Sequence, residues 1–303
     1  MNAEILQPLN KIQSRPFNFA HGRPNSGQGS LLFAKYAFAP NKLRYCGPDG
    51  NRDIFDYCVA EESDKGLIEL LKGFEGAFPY LQLIAKANKI KDPFDEKVVE
   101  AYWIGNDLLK NVTTKDFHEQ LKNRFSKKLS PNLMKWILPK PAEGAKPHHS
   151  FHVLDVYTKT GLIRSGIKTN VMETVDNCLI LPGRVVKTKN EKLKTKNYNL
   201  KPKTIDNLTN QPFDDTPSSI LRTGQGRPIN QLTIQYHPII LKEGKLAFGE
   251  LTTKEVISLF INPKVDDYVS IHWGNVCDEL TARQLKNLQI WTKYHMEIAN
   301  RTI

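Results

Sequence analysis

Cys178-Leu179-Ile180-Leu181-Pro182-Gly183-Arg184-Val185-Val186 and, further on, Val265-Asp266-Asp267-Tyr268-Val269-Ser270-Ile271-His272-Trp273-Gly274 are the stretches on which the reading of the fold turns. The first sets a thiol ahead of a Pro-Gly turn and an apolar run, and reads as a strand over 176–187. The second alternates as a strand and ends on an imidazole two residues before a glycine. A soft thiolate and an imidazole presented from neighbouring strand ends suit iron, copper, nickel or zinc better than magnesium or calcium. Two protein ligands do not fill a coordination sphere. Such a site borrows ligands from a partner or holds a metal that brings its own, which suits carrying a metal better than storing it.

Outward from these stretches, residues 148–157, 161–169, 192–200 and 232–241 also read as short strands. Residues 201–230, with Asn207, Asn210, Pro212, Pro217, Gly224, Gly226 and Pro228, read as a long excursion. Thr281-x-x-Gln284 is a capping box opening a last helix through Leu285, Leu288, Trp291 and Ile298. Several short strands and then a helix predict a small barrel. The preceding half reads as helices. Leu67, Ile68, Leu70 and Leu71 recur at helical spacing. Asp92-Pro93, Thr113-x-x-Asp116 and Ser130-Pro131 are helix starts. Pro139, Pro141 and Gly144 mark a linker. The expected fold is therefore α+β: an irregular segment 1–30, a mostly helical N-terminal domain over 31–145, and a small OB-like β-barrel over 146–303. The barrel would carry an insertion at about 201–261 and a C-terminal closing helix over 281–300.

The two opening stretches, in this order and followed by a helix, resemble the HypC/HupF family of hydrogenase maturation chaperones. There a cysteine is followed by apolar residues, Pro-Gly, a basic residue and valines, and an Asp-Tyr-Val strand leads to a His two residues before a Gly. The resemblance implies a small OB-like barrel with a terminal helix that carries iron with cyanide and carbon monoxide ligands during [NiFe]-hydrogenase assembly. It implies Cys178 and His272 as the iron ligands. It implies as partners an iron–sulfur scaffold protein and the hydrogenase large-subunit precursor. It covers about 65 residues of the chain. The family's cysteine lies at the extreme N-terminus, whereas Cys178 is internal, so no free terminal amine can contribute and the thiol must be reached through a groove.

Pro147-His148-His149-Ser150-Phe151-His152 gathers three of the eight histidines. On a strand His148 and His152 share one face, which makes them further candidate metal ligands beside Cys178. Cys277 reads as a core thiol. Cys46, in a Cys-Gly-Pro turn, reads equally as an exposed thiol or as a turn residue packed on Tyr45.

The net charge of +11 favours an acidic partner. Arg184, Lys187, Lys189, Lys194 and Lys196 lie in the densest basic run and are the candidate partner-binding residues. They would dock an acidic or metallocentre-assembly protein. Single-stranded nucleic acid is the alternative, although only Tyr198 interleaves with these lysines as a stacking platform. A structural or interaction module that has lost its metal is a third reading. No run approaches the ~18 apolar residues of a membrane helix, and the N-terminal stretch lacks a secretory h-region. Four cysteines without CxxC spacing are expected to be reduced in the cytoplasm. Gly22-x-x-x-x-Gly27 continues as Gln28-Gly29 and so is not a phosphate loop. No hydrolase elbow, His-Glu-x-x-His or carboxylate pair is present, so a carrier or chaperone is expected rather than an enzyme.

Overall fold

The computed structural model describes residues 27–158, 171–190 and 230–303. Its strands close a five-stranded barrel in the order β1 (Leu181–Asn190), β2 (Asn230–Tyr236), β5 (Thr252–Ser258), β7 (Asn275–Glu279), β6 (Tyr268–His272) and back to β1. β5 and β7 run parallel, and the other neighbours are antiparallel. This is an OB-like barrel, and β3 (Ile239–Lys242) and β4 (Lys245–Phe248) form a separate hairpin beside it. Val185, Leu232, Ile234, Val256, Val269, Ile271 and Val276 fill the interior. The Pro-Gly step of β1 has a packing reason: a Cβ on Gly183 would lie 2.7 Å from Ile234 Cδ1 on β2. The hairpin between β6 and β7 turns on Trp273 and Gly274, with φ of +51° and +73°. Two left-handed residues make the primed turn that matches strand twist, and Trp273 holds this conformation without being a glycine.

The helical half surrounds α1 (Gln28–Lys42), which is buried along most of its length and packs on α2 (Asn51–Ala60), α3 (Lys65–Lys72), α5 (Glu96–Trp103) and strands β6 and β7. Helices α4 (Phe78–Ala87), α6 (Thr114–Phe125) and α7 (Pro131–Ile137) complete it. Thr113 and Ser130 cap α6 and α7 as expected. Asp92 instead closes a turn onto the Phe94 N–H, and Asp95 caps α5. One apolar cluster runs from Phe33 and Tyr80 through Phe151 and Ile180 to Phe260, Cys277, Leu288 and Ile298, so the two halves share a core. The expected linker is part of it. Lys140 is 1% exposed and reaches Asp155 at 3.3 Å, Glu143 at 3.2 Å, and the Ile298 carbonyl and Thr302 hydroxyl of the C-terminal segment.

Three expectations are corrected. Residues 148–157 are a helical turn, α8 (His149–Phe151), running into a π-helix (His152–Tyr157), because Val153, Leu154, Asp155 and Val156 are all buried, which a strand with one solvent face cannot provide. Asp176–Cys178 ends a helix, α9 (Val171–Cys178), and β1 begins only at Leu181. The span 201–261 is not an insertion throughout, since it supplies barrel strands β2 and β5. The strands expected over 161–169 and 192–200 lie outside the described residues. The final helix, α10 (Ala282–Ala299), opens on the Thr281–Gln284 capping box.

Burial holds five histidines neutral: His148 and His152 are pushed down to about 3, His272 to about 4, and His149 and His295 well below the ordinary imidazole value. Unfolding lets each take up a proton below its free value of about 6.5. A depressed folded pKa therefore gives stability that is complete above about pH 6.5 and is lost as pH falls, by up to about 1.4 kcal/mol per histidine per pH unit. Urea unfolding followed by tryptophan fluorescence should show the midpoint falling steeply between about pH 6.5 and pH 4.5.

Candidate metal centre

His149, Cys178 and His272 each offer a ligand atom, and these atoms lie within 4.8 Å of one another. They come from three elements: the turn that opens α8, the last residue of α9, and the end of β6. Atoms bound to one ion at about 2.0–2.3 Å are at most about 4.6 Å apart, so small side-chain adjustments would let the three share an ion. The histidines are 5% and 2% exposed, whereas Cys178 is half-buried. Trp103 walls the site, its ring centroid 4.6 Å from that of His149 and 5.7 Å from that of His272.

His272 is prepared as a ligand by a proline in another element. In a regular helix the Tyr36 carbonyl accepts the N–H of residue 40, but residue 40 is Pro40 and has none. That carbonyl accepts from His272 Nδ1 at 2.7 Å. A carbonyl only accepts, so Nδ1 carries the proton and the Nε2 lone pair is left bare. His272 Nε2 is buried and has no protein hydrogen-bond partner. A ligand ring held through its other N–H by a backbone carbonyl is the usual outer-shell arrangement of a metal-binding histidine. The Tyr36 hydroxyl meets Ser270 Oγ at 2.8 Å, which ties α1 to β6 a second time.

His149 is held differently. Its Nε2 donates to the Cys178 carbonyl at 2.7 Å, and its Nδ1 lies 3.3 Å from the Tyr102 hydroxyl. To ligate through Nε2 it must release the carbonyl and move its proton to Nδ1, where the phenol oxygen can accept it. Burial pushes the Cys178 thiol up to about 12, with the Trp273 indole opposing the shift. Burial also lowers His272 to about 4, offset by its bond to the Tyr36 carbonyl and by the Cys178 carbonyl. At neutral pH the site is thus one thiol and two uncharged imidazoles. This soft and intermediate donor set suits a late first-row metal, and the bare Nε2 gives such a metal a direct place.

Of the residues singled out in the sequence, Cys178 and His272 come together. His148 and His152 do not join them. His148 Nδ1 accepts from Ser150, and its ring stacks on His295, while His152 Nδ1 lies 3.3 Å from the Tyr80 hydroxyl. The strand parity that paired His148 with His152 fails because the segment is helical, and His149 between them reaches the site. A helical reading of the His-rich run would have raised His149. Cys277 is a core thiol. Arg184 pairs with Asp266 at 2.6 Å on the surface, Lys187 and Lys189 are exposed on β1, and Lys194 and Lys196 lie outside the described residues.

The fold and site define a protein whose helical half encloses one end of an OB-like barrel around a His-Cys-His cluster. The model of DUF6390, a family of unknown function, matches residues 25–215 and 222–303, and the chain belongs to that family. No curated protein matches the chain. No solved structure matches it.

Two outcomes follow from the donor set. Only the thiol has a proton to lose above about pH 5, so zinc binding should release about one proton and tighten about tenfold per pH unit across pH 6 to pH 9, all below the thiol's value of about 12. Calorimetry in two buffers of different ionisation enthalpy measures that proton. Pro40→Ala restores an N–H that competes for the Tyr36 carbonyl. It should weaken zinc binding by about tenfold, as outer-shell changes do, while leaving the melting temperature equal or higher.

Proposed function

We propose that the protein is a metallocentre assembly or carrier chaperone of the HypC type, holding an iron group as cargo through Cys178 and His272. The observation that carries this reading is the convergence of the Cys178 and His272 ligand atoms, with His272 Nε2 buried and bare. The OB-like barrel, the Pro-Gly step after the cysteine and the glycine turn after the histidine agree with the same reading. Cys178 is internal and has no terminal amine to offer, and His149, from the turn that opens α8, supplies a third donor in its place. The cargo is iron bearing cyanide and carbon monoxide, whose own ligands complete a sphere that the protein fills only in part. The partner is an acidic or metallocentre-assembly protein, with a hydrogenase large-subunit precursor as the client. The exposed Lys187 and Lys189 side chains belong to the docking surface. The protein acts as a carrier in the cytoplasm and not as an enzyme.

Anaerobic co-expression with hydrogenase maturation proteins, followed by infrared spectroscopy of the purified protein, tests this. Cyanide and carbon monoxide stretching bands are expected in the intact protein and lost in Cys178→Ala and His272→Ala. Their absence from the intact protein, under conditions that load an authentic carrier, would sink the proposal.

A further inference from the structure

A metal held by His149, Cys178 and His272 has two needs that these residues do not meet. Three protein donors fill three places of a tetrahedral ion, and the fourth falls to a ligand that is not protein. The second need is charge. The Cys178 thiolate cancels one of a divalent cation's two charges and the neutral imidazoles cancel none, which leaves a unit of positive charge beside histidines that are 5% and 2% exposed. A charge buried in this way is costly unless an anion pairs with it.

The walls of the site carry two donors with no acceptor. Trp103 is 3% exposed, and its ring is packed among Phe33, Tyr36, His149 and His272, with centroids 4.6 Å from His149 and 5.7 Å from His272. Its Nε1 is buried and has no hydrogen-bond partner among the described residues. Trp273 Nε1 is a second such atom. The Trp273 backbone N–H donates to the Asn177 carbonyl at 2.8 Å, which seats the residue beside Cys178. Its ring is braced by Tyr45, 4.1 Å away between centroids and 20° between planes, and its indole favours the Cys178 thiolate against burial. An indole N–H can only donate, and buried donors are nearly always satisfied in native proteins, so each of these atoms calls for an acceptor. The bare lone pair of His272 Nε2 takes neither. Trp273 also holds a φ of +51°, a left-handed conformation that glycine or asparagine adopts at lower cost, so the turn itself does not require a tryptophan.

We propose that the Trp103 and Trp273 indole N–H groups cradle a small anion bound to the metal, so that the site takes a metal–anion pair and not a bare cation. This deepens the metal reading of the cluster and rests on it. Cyanide and azide are the chemical class. One end of such an anion bonds the metal and supplies the missing charge, and the other end offers nitrogen lone pairs to the indoles. Both donors are held by ring packing before the anion arrives, so little reorganisation is needed to receive it.

Two measurements on the full chain test this. Zinc-loaded protein carrying nitrogen-15 in its four tryptophans is titrated with azide, and the indole N–H signals are followed by NMR. The Trp103 and Trp273 signals should move downfield while that of Trp136, which is 49% exposed, stays in place. No movement at Trp103 and Trp273 overturns the cradle. Trp103 lies in the core, so its part is read from the intact protein and not from a variant. Cobalt(II)-loaded protein is then titrated with azide and followed through its visible bands. Trp273→Phe should bind cobalt as the wild type does and azide about tenfold more weakly. Unchanged azide affinity, or weakened cobalt binding in its place, overturns the part given to Trp273. Wild-type protein that binds no cobalt refutes the metal reading and the cradle together. Wild-type protein that binds cobalt but no azide refutes the cradle alone.

Discussion

The hydrogen bond from His272 Nδ1 to the Tyr36 carbonyl is the constraint on which the site depends. It is available because Pro40 cannot use that carbonyl within α1. A proline inside a helix ordinarily costs stability by removing one backbone bond. Here the freed acceptor is satisfied by an imidazole from a strand more than two hundred residues away. The consequence is chemical as well as structural, since it fixes which nitrogen carries the proton and points the other, unprotonated, toward Cys178 and His149. Trp103 of α5 stacks on Tyr36 at 5.4 Å and also lies against His149, so Tyr36 braces the wall with its ring and orients His272 with its carbonyl.

Burial sets the charge state that a cation would meet in the cluster. A charged thiolate in these surroundings is unfavourable, and the Cys178 thiol stays protonated far above neutral pH. A metal replaces that proton and the charge it leaves, so the low-dielectric walls that suppress ionisation also strengthen the metal–sulfur bond once it forms. The net charge of +11 is not met by an opposite charge within the cluster, which holds one thiol and two imidazoles.

Much of this was legible in the chain because it was written locally. The Thr281 and Thr113 caps need only a side chain and an N–H three residues on, and both form. The Pro-Gly and Trp-Gly steps mark close packing and a turn, and the structure uses them so. Cys178 and His272 could be paired from the segments around them. The 148–157 run misled because alternation of polar and apolar residues carries weight only if one face meets solvent, and this run is packed against α5, α7, α9 and α10. Its burial is a property of the assembled protein, invisible in ten residues. His149 was missed for that reason, as was the role of β2 and β5, which lie in a span whose turn-rich first part obscured the strands after it.

The shared core bears on what the helical half is for. Were it an independent domain, Lys140 would have no cause to sit among Asp155, the Ile298 carbonyl and Thr302, binding the supposed linker to the π-helix and the C-terminus. The His295–Ser150–His148 hydrogen-bond chain makes a similar connection. Lys146 donates its N–H to His295 Nε2 at 3.1 Å, so His295 Nδ1–H donates to Ser150 Oγ at 2.8 Å, and Ser150 donates in turn to His148 Nδ1 at 2.7 Å. Each proton position follows from the one before it, starting at a backbone N–H that can only donate. The turn that holds His149 is thereby fixed to the closing helix of the barrel. Residues 146–303 alone hold His149, Cys178 and His272, but they would present them without the Trp103 wall or the Tyr36 carbonyl that sets the histidine's proton.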